Sequence, residues 1–79
     1  FDIYPNPTNG NCNIKIHDSE CIGGNIVVYS ITGERILSTT INGNTVELST
    51  VDINSGVYCL VIHSRYGMKK FMHTLIKSL

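Results

Sequence analysis

Apolar residues recur at every second position along most of this chain, and this alternation constrains the fold more than any other feature. Cys12, Ile14 and Ile16 share one face of an extended segment, with polar residues between them. The segments NIVVYS, RILSTTI and TVEL continue the pattern, and no window of useful length follows the 3.6-residue period of a helix. About seven short strands separated by turns predict an all-β, antiparallel sandwich or barrel.

Turn residues divide these strands at regular intervals. Thr32-Gly33 predicts a turn, and Asn42–Asn44 (NGN) predicts a hairpin because Asn and Gly tolerate positive φ. The segment from Val57 to Ser64 (VYCLVIHS) is the most apolar, with both faces largely apolar. We therefore predict that it is a central strand, and that the last strand closes the fold through MKKFMHTLIK.

A stiff corner, YPNPTNG, stands near the start of the chain. Pro5 and Pro7 lack an amide donor and have a fixed φ, so they prevent a strand ladder from continuing through them. Asn6 precedes a proline and is pushed toward extended geometry, and Gly10 completes a turn into the next strand. The corner predicts a rigid crossing from one edge of the sandwich to another.

Length and composition exclude several classes of function. The chain has 79 residues, 42% hydrophobic and 15% charged, with six acidic and six basic residues. This balance predicts one packed domain and offers no basic field for nucleic acid. The apolar runs are too short to insert into a membrane. The chain begins at Phe1 and shows no signal peptide, so we expect a domain excised from a larger protein.

The three cysteines, Cys12, Cys21 and Cys59, are an odd number and cannot all pair within the chain. A Cys12–Cys21 disulfide is conceivable if their strands are neighbours. Three small, buried or half-buried free thiols are the favoured interpretation.

Residues with catalytic or metal-binding chemistry are present but poorly spaced. Cys59 and His63 share a strand face, whereas Cys12 and His17 lie on opposite faces, and no Cys-x2-Cys pair exists. No G-x-S-x-G, H-E-x-x-H or phosphate-binding glycine loop occurs. We therefore predict no metal, no cofactor and no catalytic residues. The four tyrosines are interpreted as rim residues, with a sugar-binding face as the alternative.

Three motifs in order resemble one family. PNPTNG at 5–10, YSITGE at 29–34 and SGVYCLVI at 55–62, followed by a lysine-bearing strand ending in LIK, make the chain similar to the C-terminal sorting domain of the type IX (Por) secretion system. The resemblance covers essentially the whole chain. One departure is that Thr74 stands where the family often carries a lysine before the last apolar pair, Leu75-Ile76, and Lys77 follows instead.

This resemblance implies an immunoglobulin-like sandwich at the C-terminus of a larger secreted protein. Its implied function is a secretion signal, not a catalyst. The cargo would pass the periplasm and then the outer membrane, reaching the cell surface or the medium. The implied partners are the outer-membrane translocon, a shuttle protein and a sortase that removes the domain and attaches the cargo to the surface.

We expect the last strand to be an edge whose unpaired backbone a receptor can read, kept soluble by its lysines. The receptor is expected to contact Lys70 to Leu79 together with the corner, and the isolated domain to be a monomer. The predicted recognition residues are Pro5, Asn6, Pro7, Gly10, Gly56, Tyr58, Lys69, Lys70, Leu75, Ile76 and Lys77. The alternative function is a carbohydrate-binding or adhesive accessory module, and an enzyme fragment ranks last.

Overall fold

The structure is a computed structural model that describes residues 1–78, and these form seven strands in two antiparallel sheets. The strands are β1 (Asp2–Tyr4), β2 (Asn11–Lys15), β3 (Asn25–Ser30), β4 (Arg35–Thr40), β5 (Thr45–Ser49), β6 (Gly56–His63) and β7 (Lys70–Lys77), and a short 3-10 helix (Ser19–Cys21) follows β2. The small sheet has the order β1-β2-β5 and the large sheet the order β4-β3-β6-β7. The predicted all-β sandwich is confirmed.

The core lies between the two sheets and is built by the alternation seen in the sequence. The small sheet contributes Cys12 and Ile14 from β2, and the large sheet contributes Leu60, Ile62 and other fully buried residues. Each of these residues stands two positions from the next buried one, because successive side chains of a strand point to opposite faces. Burial of this apolar surface is the main stabilising contribution to a domain without disulfides.

The predicted central position of the most apolar strand is confirmed. β6 is hydrogen-bonded to β3 on one side and to β7 on the other. Val61, on the outer face of the sheet, is only 3% exposed because it lies in register between Val27 and Met72. Met72 itself is 63% exposed. The outer face of the large sheet is therefore apolar at its centre.

The predicted hairpin at Asn42–Asn44 is wrong, because the two strands that flank it belong to different sheets. β4 pairs with β3, whereas β5 pairs with β2. The connection carries the fully buried Ile41, whose N–H donates to the Gly24 carbonyl at 3.0 Å. On the other side of the connection, the Asn44 carbonyl accepts from Ile16 N–H at 2.7 Å. These two hydrogen bonds connect the segment to both sheets, so the chain crosses the sandwich and does not form a hairpin.

Candidate functional site: the proline corner and the last strand

At the corner, the chain leaves the small sheet, contacts the large sheet and returns to the small sheet. β1 ends at Tyr4 and β2 begins at Asn11, and the two are antiparallel neighbours in the small sheet. Residues 5–10 between them lie against the outer edge of β7, in the large sheet. The Tyr4-Pro5 and Asn6-Pro7 peptide bonds are both cis. The predicted crossing between edges is present, but the chain comes back to its own sheet.

Asn6 completes the edge of β7 with its side chain. Its Oδ1 accepts from the Ile76 backbone N–H at 3.0 Å, and its Nδ2 donates to the Thr74 carbonyl at 2.9 Å. A primary amide has a donor and an acceptor in the same plane, as a peptide group does, so it substitutes for a neighbouring strand. The Asn6 side chain therefore makes with β7 the contacts that another strand would make.

Thr8 continues this pairing through its backbone. Its N–H donates to the Ile76 carbonyl at 2.9 Å, and its carbonyl accepts from Ser78 N–H at 2.7 Å. The bridge between Thr8 and Lys77 is parallel. The outer edge of the C-terminal half of β7 is consequently occupied by the chain itself. The expectation of an open, readable backbone along the whole last strand is therefore wrong for this half.

The first half of the β7 edge keeps outward backbone groups that have no partner within residues 1–78. Ile76 and Thr74 point outward, so the alternation of an antiparallel ladder places Met72 outward as well. On this outer edge, which faces away from β6, the Met72 N–H and carbonyl have no hydrogen-bond partner within residues 1–78. Lys70 is exposed at the start of the same edge. Leu79, the last residue of the predicted contact range, lies outside the described residues.

Two buried threonines fix the corner to the rest of the sandwich. Thr8 is fully buried, and its Oγ1 accepts from Gly10 N–H at 3.2 Å and donates to the Asn11 carbonyl at 3.2 Å. Thr50 is also fully buried, and both its N–H and its Oγ1 donate to the Gly10 carbonyl. The sequence interpretation missed both residues, because a single threonine beside a turn carries no periodic signal.

Lys77 does not lie on a solvated edge, and the expectation that it keeps the strand soluble is wrong. The residue is 7% exposed, and its Nζ donates to the Thr50 carbonyl at 2.6 Å. Leu75, two positions earlier, is fully buried. Alternation places Lys77 on the same inward face as Leu75, so the sequence did contain a signal of its burial.

Lys69 lies in the turn before β7 and not on the strand. Its Nζ is 3.1 Å from a carboxylate oxygen of Asp18 and 3.0 Å from one of Glu20. The hydrogen bonds to Glu20 and then to Asp18 raise the pKa of Lys69. Asp18 caps the 3-10 helix by accepting a hydrogen bond from the Glu20 backbone N–H, and this bond, followed by Lys69, lowers the pKa of Asp18. Lys69 therefore ties the β6–β7 turn to the 3-10 segment, at the end of the sandwich opposite the corner.

The remaining predicted residues lie around the corner. Pro5 and Pro7 are exposed, and Ile76 is 39% exposed on the outer face. Gly56 is the register partner of Lys77 at the start of β6. Tyr58, further along β6, donates from its hydroxyl to the Asn54 carbonyl at 2.6 Å and holds the loop that follows β5. We name residues 5–10 together with 74–78 the corner–strand surface.

Other groups of chemical interest do not assemble into a site. Within residues 1–78, no three His, Cys, Asp or Glu side chains are grouped closely enough to hold a metal ion. His17 pairs instead with Asp2 at 2.8 Å. The most exposed tyrosines, Tyr4 and Tyr66, lie at opposite ends of the sandwich. No helical segment in the described part of the chain has the length and apolarity needed to span a membrane.

Comparison with known proteins agrees with this arrangement. A family model described as "Secretion system C-terminal sorting domain" matches residues 2–77, which include the corner, the central strand and the last strand. No curated protein and no solved structure matches the chain significantly. Since the family model covers nearly every residue, the chain belongs to the family of secretion system C-terminal sorting domains.

Proposed function

We propose that the type IX secretion machinery recognises this domain through the corner–strand surface. The observation that carries the proposal is the pair of hydrogen bonds between Asn6 and the edge of β7. They join two segments that are about seventy residues apart in sequence into one continuous surface. Both segments lie within the region that the family model matches.

Family membership itself defines the general function. The domain is a C-terminal sorting signal for type IX secretion, and such a signal directs export to the cell surface or the extracellular space. It has to interact with the secretion machinery, and domains of this family act as signals and not as catalysts.

The particular steps form part of the proposal. The domain is one unit of a larger secreted protein that crosses the periplasm before it meets the outer-membrane translocon. A shuttle protein and a sortase are its further partners, and the sortase cleaves the domain and attaches the cargo to the surface. Mass spectrometry of surface-bound cargo tests the last step, because intact domain on every cargo molecule would exclude cleavage.

Exposure separates the residues that a receptor can touch from those that shape the surface. Pro5 and Pro7 are exposed, Ile76 is partly exposed, and Lys70 is exposed on the same edge of β7, just outside the corner–strand surface. Leu75 belongs to the core, and Lys77 is buried against Thr50. We therefore assign direct contact to the exposed group and a supporting role to the buried pair.

Point substitutions test this assignment better than a deletion. Removing residues 74–79 would take Leu75 out of the core, so loss of export would not separate folding from recognition. We suggest a reporter fused to this domain with Pro7→Ala or Ile76→Ser, and Met68→Ser as the matched control. Met68 is 87% exposed in the turn at the opposite end of the sandwich.

The expected result is a several-fold loss of surface delivery for the corner and strand variants, and Ile76→Ser, on the partly exposed outer face, should keep a melting temperature close to that of the parent. The Met68 variant should be exported normally. Normal export of both test variants would refute the proposed surface. Retention of glycans on an array by the isolated domain would instead support the carbohydrate-binding alternative.

A further inference from the structure

We propose that a pocket beside Lys77 binds a carboxylate group of the protein that reads this domain. The pocket has a volume of about 520 Å³ and lies between the corner, the loop after β5 and the end of β7. The inference rests on the proposed function, because it names the chemistry of the partner at the corner–strand surface.

Lys77 supplies a buried ammonium group whose hydrogen-bond donors are only partly satisfied. The residue is 7% exposed and lines the pocket. A lysine ammonium has three N–H donors, and the Thr50 carbonyl accepts one of them at 2.6 Å. Two donors remain available to a further acceptor.

The ammonium group has no counter-charge among residues 1–78. No carboxylate oxygen of these residues lies within 4.0 Å of its Nζ. Asp52 belongs to the loop that forms one wall, but it does not line the pocket or pair with Lys77. Lysine is seldom buried without an anionic partner, because taking a charge out of water costs several kcal/mol. An anion from outside would supply the missing interaction.

Neutral polar groups surround this charge. Asn9, Asn54, Ser55 and Ser78 line the pocket and are exposed, so it opens to solvent. Amide and hydroxyl groups donate hydrogen bonds but add no positive charge. One ammonium with neutral donors matches a single negative charge, whereas a phosphate group carries more charge and is usually bound by several basic side chains. The geometry therefore favours a carboxylate.

The walls of the pocket are held in place independently of any ligand. The Tyr58 hydroxyl fixes Asn54, and Thr50 fixes both the corner, through the Gly10 carbonyl, and Lys77. Val51 and Ile53 give one wall an apolar surface. These features fit an acidic side chain presented by a folded partner.

Nuclear magnetic resonance with acetate as the probe tests the pocket. We suggest recording ¹H–¹⁵N spectra of the 79-residue chain during titration with sodium acetate at constant ionic strength, with acetamide as the uncharged isostere. The expected result is saturable shifts of the Asn9, Ser55 and Ser78 amides with acetate and none with acetamide. Equal shifts with both probes, or none with either, would overturn the proposal.

Two variants assign the effect to Lys77. Lys77→Met keeps the apolar stem and should weaken acetate binding by about tenfold or more, as expected for the loss of a charged hydrogen bond. Lys15→Met, at the exposed end of β2, should leave it unchanged. If Lys77→Met does not fold, the acetate and acetamide titrations of the parent chain still decide. If acetate bound only after the Leu79 carboxylate had been amidated, the chain's own carboxylate would be the competing anion, and the assignment of the pocket to a partner would be overturned.

Export of the reporter fusion separates this inference from the proposed function. If the Pro7 and Ile76 variants lose export but the parent chain does not bind acetate, the proposed surface stands and the proposed carboxylate pocket is overturned. Saturable acetate binding with normal export of the Pro7, Ile76 and Lys77 variants would overturn both the surface as a signal and the pocket as a partner's site.

Discussion

Gly24 is a residue whose missing side chain makes a close approach between strands possible. A Cβ atom at this position would lie 2.0 Å from the His63 carbonyl oxygen and 2.8 Å from the Ser64 carbonyl carbon. Both neighbours are backbone atoms, so they cannot move aside without disturbing β6. We expect Gly24→Ala to lower the free energy of unfolding by about 3 kcal/mol or more, measured by urea denaturation.

Gly43→Ala is the matched control, because a Cβ there has no atom within 4 Å. Its effect should stay within about 0.5 kcal/mol, as for an ordinary surface substitution. A similar loss of stability in both variants would contradict the role given to the close approach at Gly24.

The carboxylate of Asp18 should make stability depend on acid pH. Its pKa lies below the ordinary value of 3.8 in the folded chain, first because of the Glu20 N–H and then because of Lys69. A group with a lowered folded pKa stabilises the fold above its unfolded pKa, and this contribution is lost as the pH falls through the folded value. Asp18→Asn keeps an acceptor for the Glu20 N–H and removes the charge that faces Lys69.

Thermal melts of the parent and of Asp18→Asn should therefore differ near pH 6 and converge as the pH falls below 3.8. Glu47→Gln serves as the control, since this exposed carboxylate on β5 makes no ion pair in the described part of the chain. A difference for Asp18→Asn that stays constant down to pH 2 would speak against the ion pair.

At the scale of elements, the corner serves as a short substitute strand. We expect Asn6→Ala to remove two hydrogen bonds from the edge of β7 and to lower stability by about 1–2 kcal/mol. Hydrogen exchange gives a local measurement, because the Ile76 amide loses its acceptor while Leu75 N–H still faces β6. Exchange at Ile76 should accelerate more than at Leu75.

Asn42→Ala, in an exposed connection, controls for the loss of an asparagine side chain. If it accelerates exchange at Ile76 as much as Asn6→Ala does, the contact between corner and strand is not the cause. The corner also shows why an edge strand need not be open to aggregation, since the chain itself covers half of it.

Strand identity was largely predictable at this scale, whereas strand partners were not. The Val57–Ser64 prediction differs by one residue at each end from the strand Gly56–His63, whose centre, Leu60 to Ile62, is buried on both faces and gives the apolar run its signal. The NGN sequence is a strong local signal for a hairpin, yet Ile41 and Asn44 are anchored in different sheets. Contacts distant in sequence overrode the local turn preference.

At the scale of the whole molecule, three free thiols report on whether the two sheets stay together. Cys12 and Cys21 are buried between the sheets, and desolvation raises the pKa of both thiols. Cys59 is partly exposed on the outer face. Because the thiolate is the reactive form, we expect one thiol per chain to react with a disulfide reagent in the native state and three in denaturant.

Cys59→Ser should abolish the native reaction, and labelling of the other two thiols should follow the rate of global unfolding. Rapid labelling of Cys12 in buffer would show that the sheets separate locally. Such behaviour would contradict a single cooperative core, which is the usual case for a domain of this size.

The sequence by itself determined the strand segments, the core positions and the family, because the period of two and the short motifs are local properties of the chain. Only the tertiary structure decided that the corner returns to its own sheet, that the Asn6 side chain hydrogen-bonds to the edge of β7 and that the inward-facing Lys77 donates to the Thr50 carbonyl. The physical reason is that pairing depends on which apolar faces and which unpaired edges meet after the chain collapses. The spacing of residues along the chain contains no information about these long-range contacts.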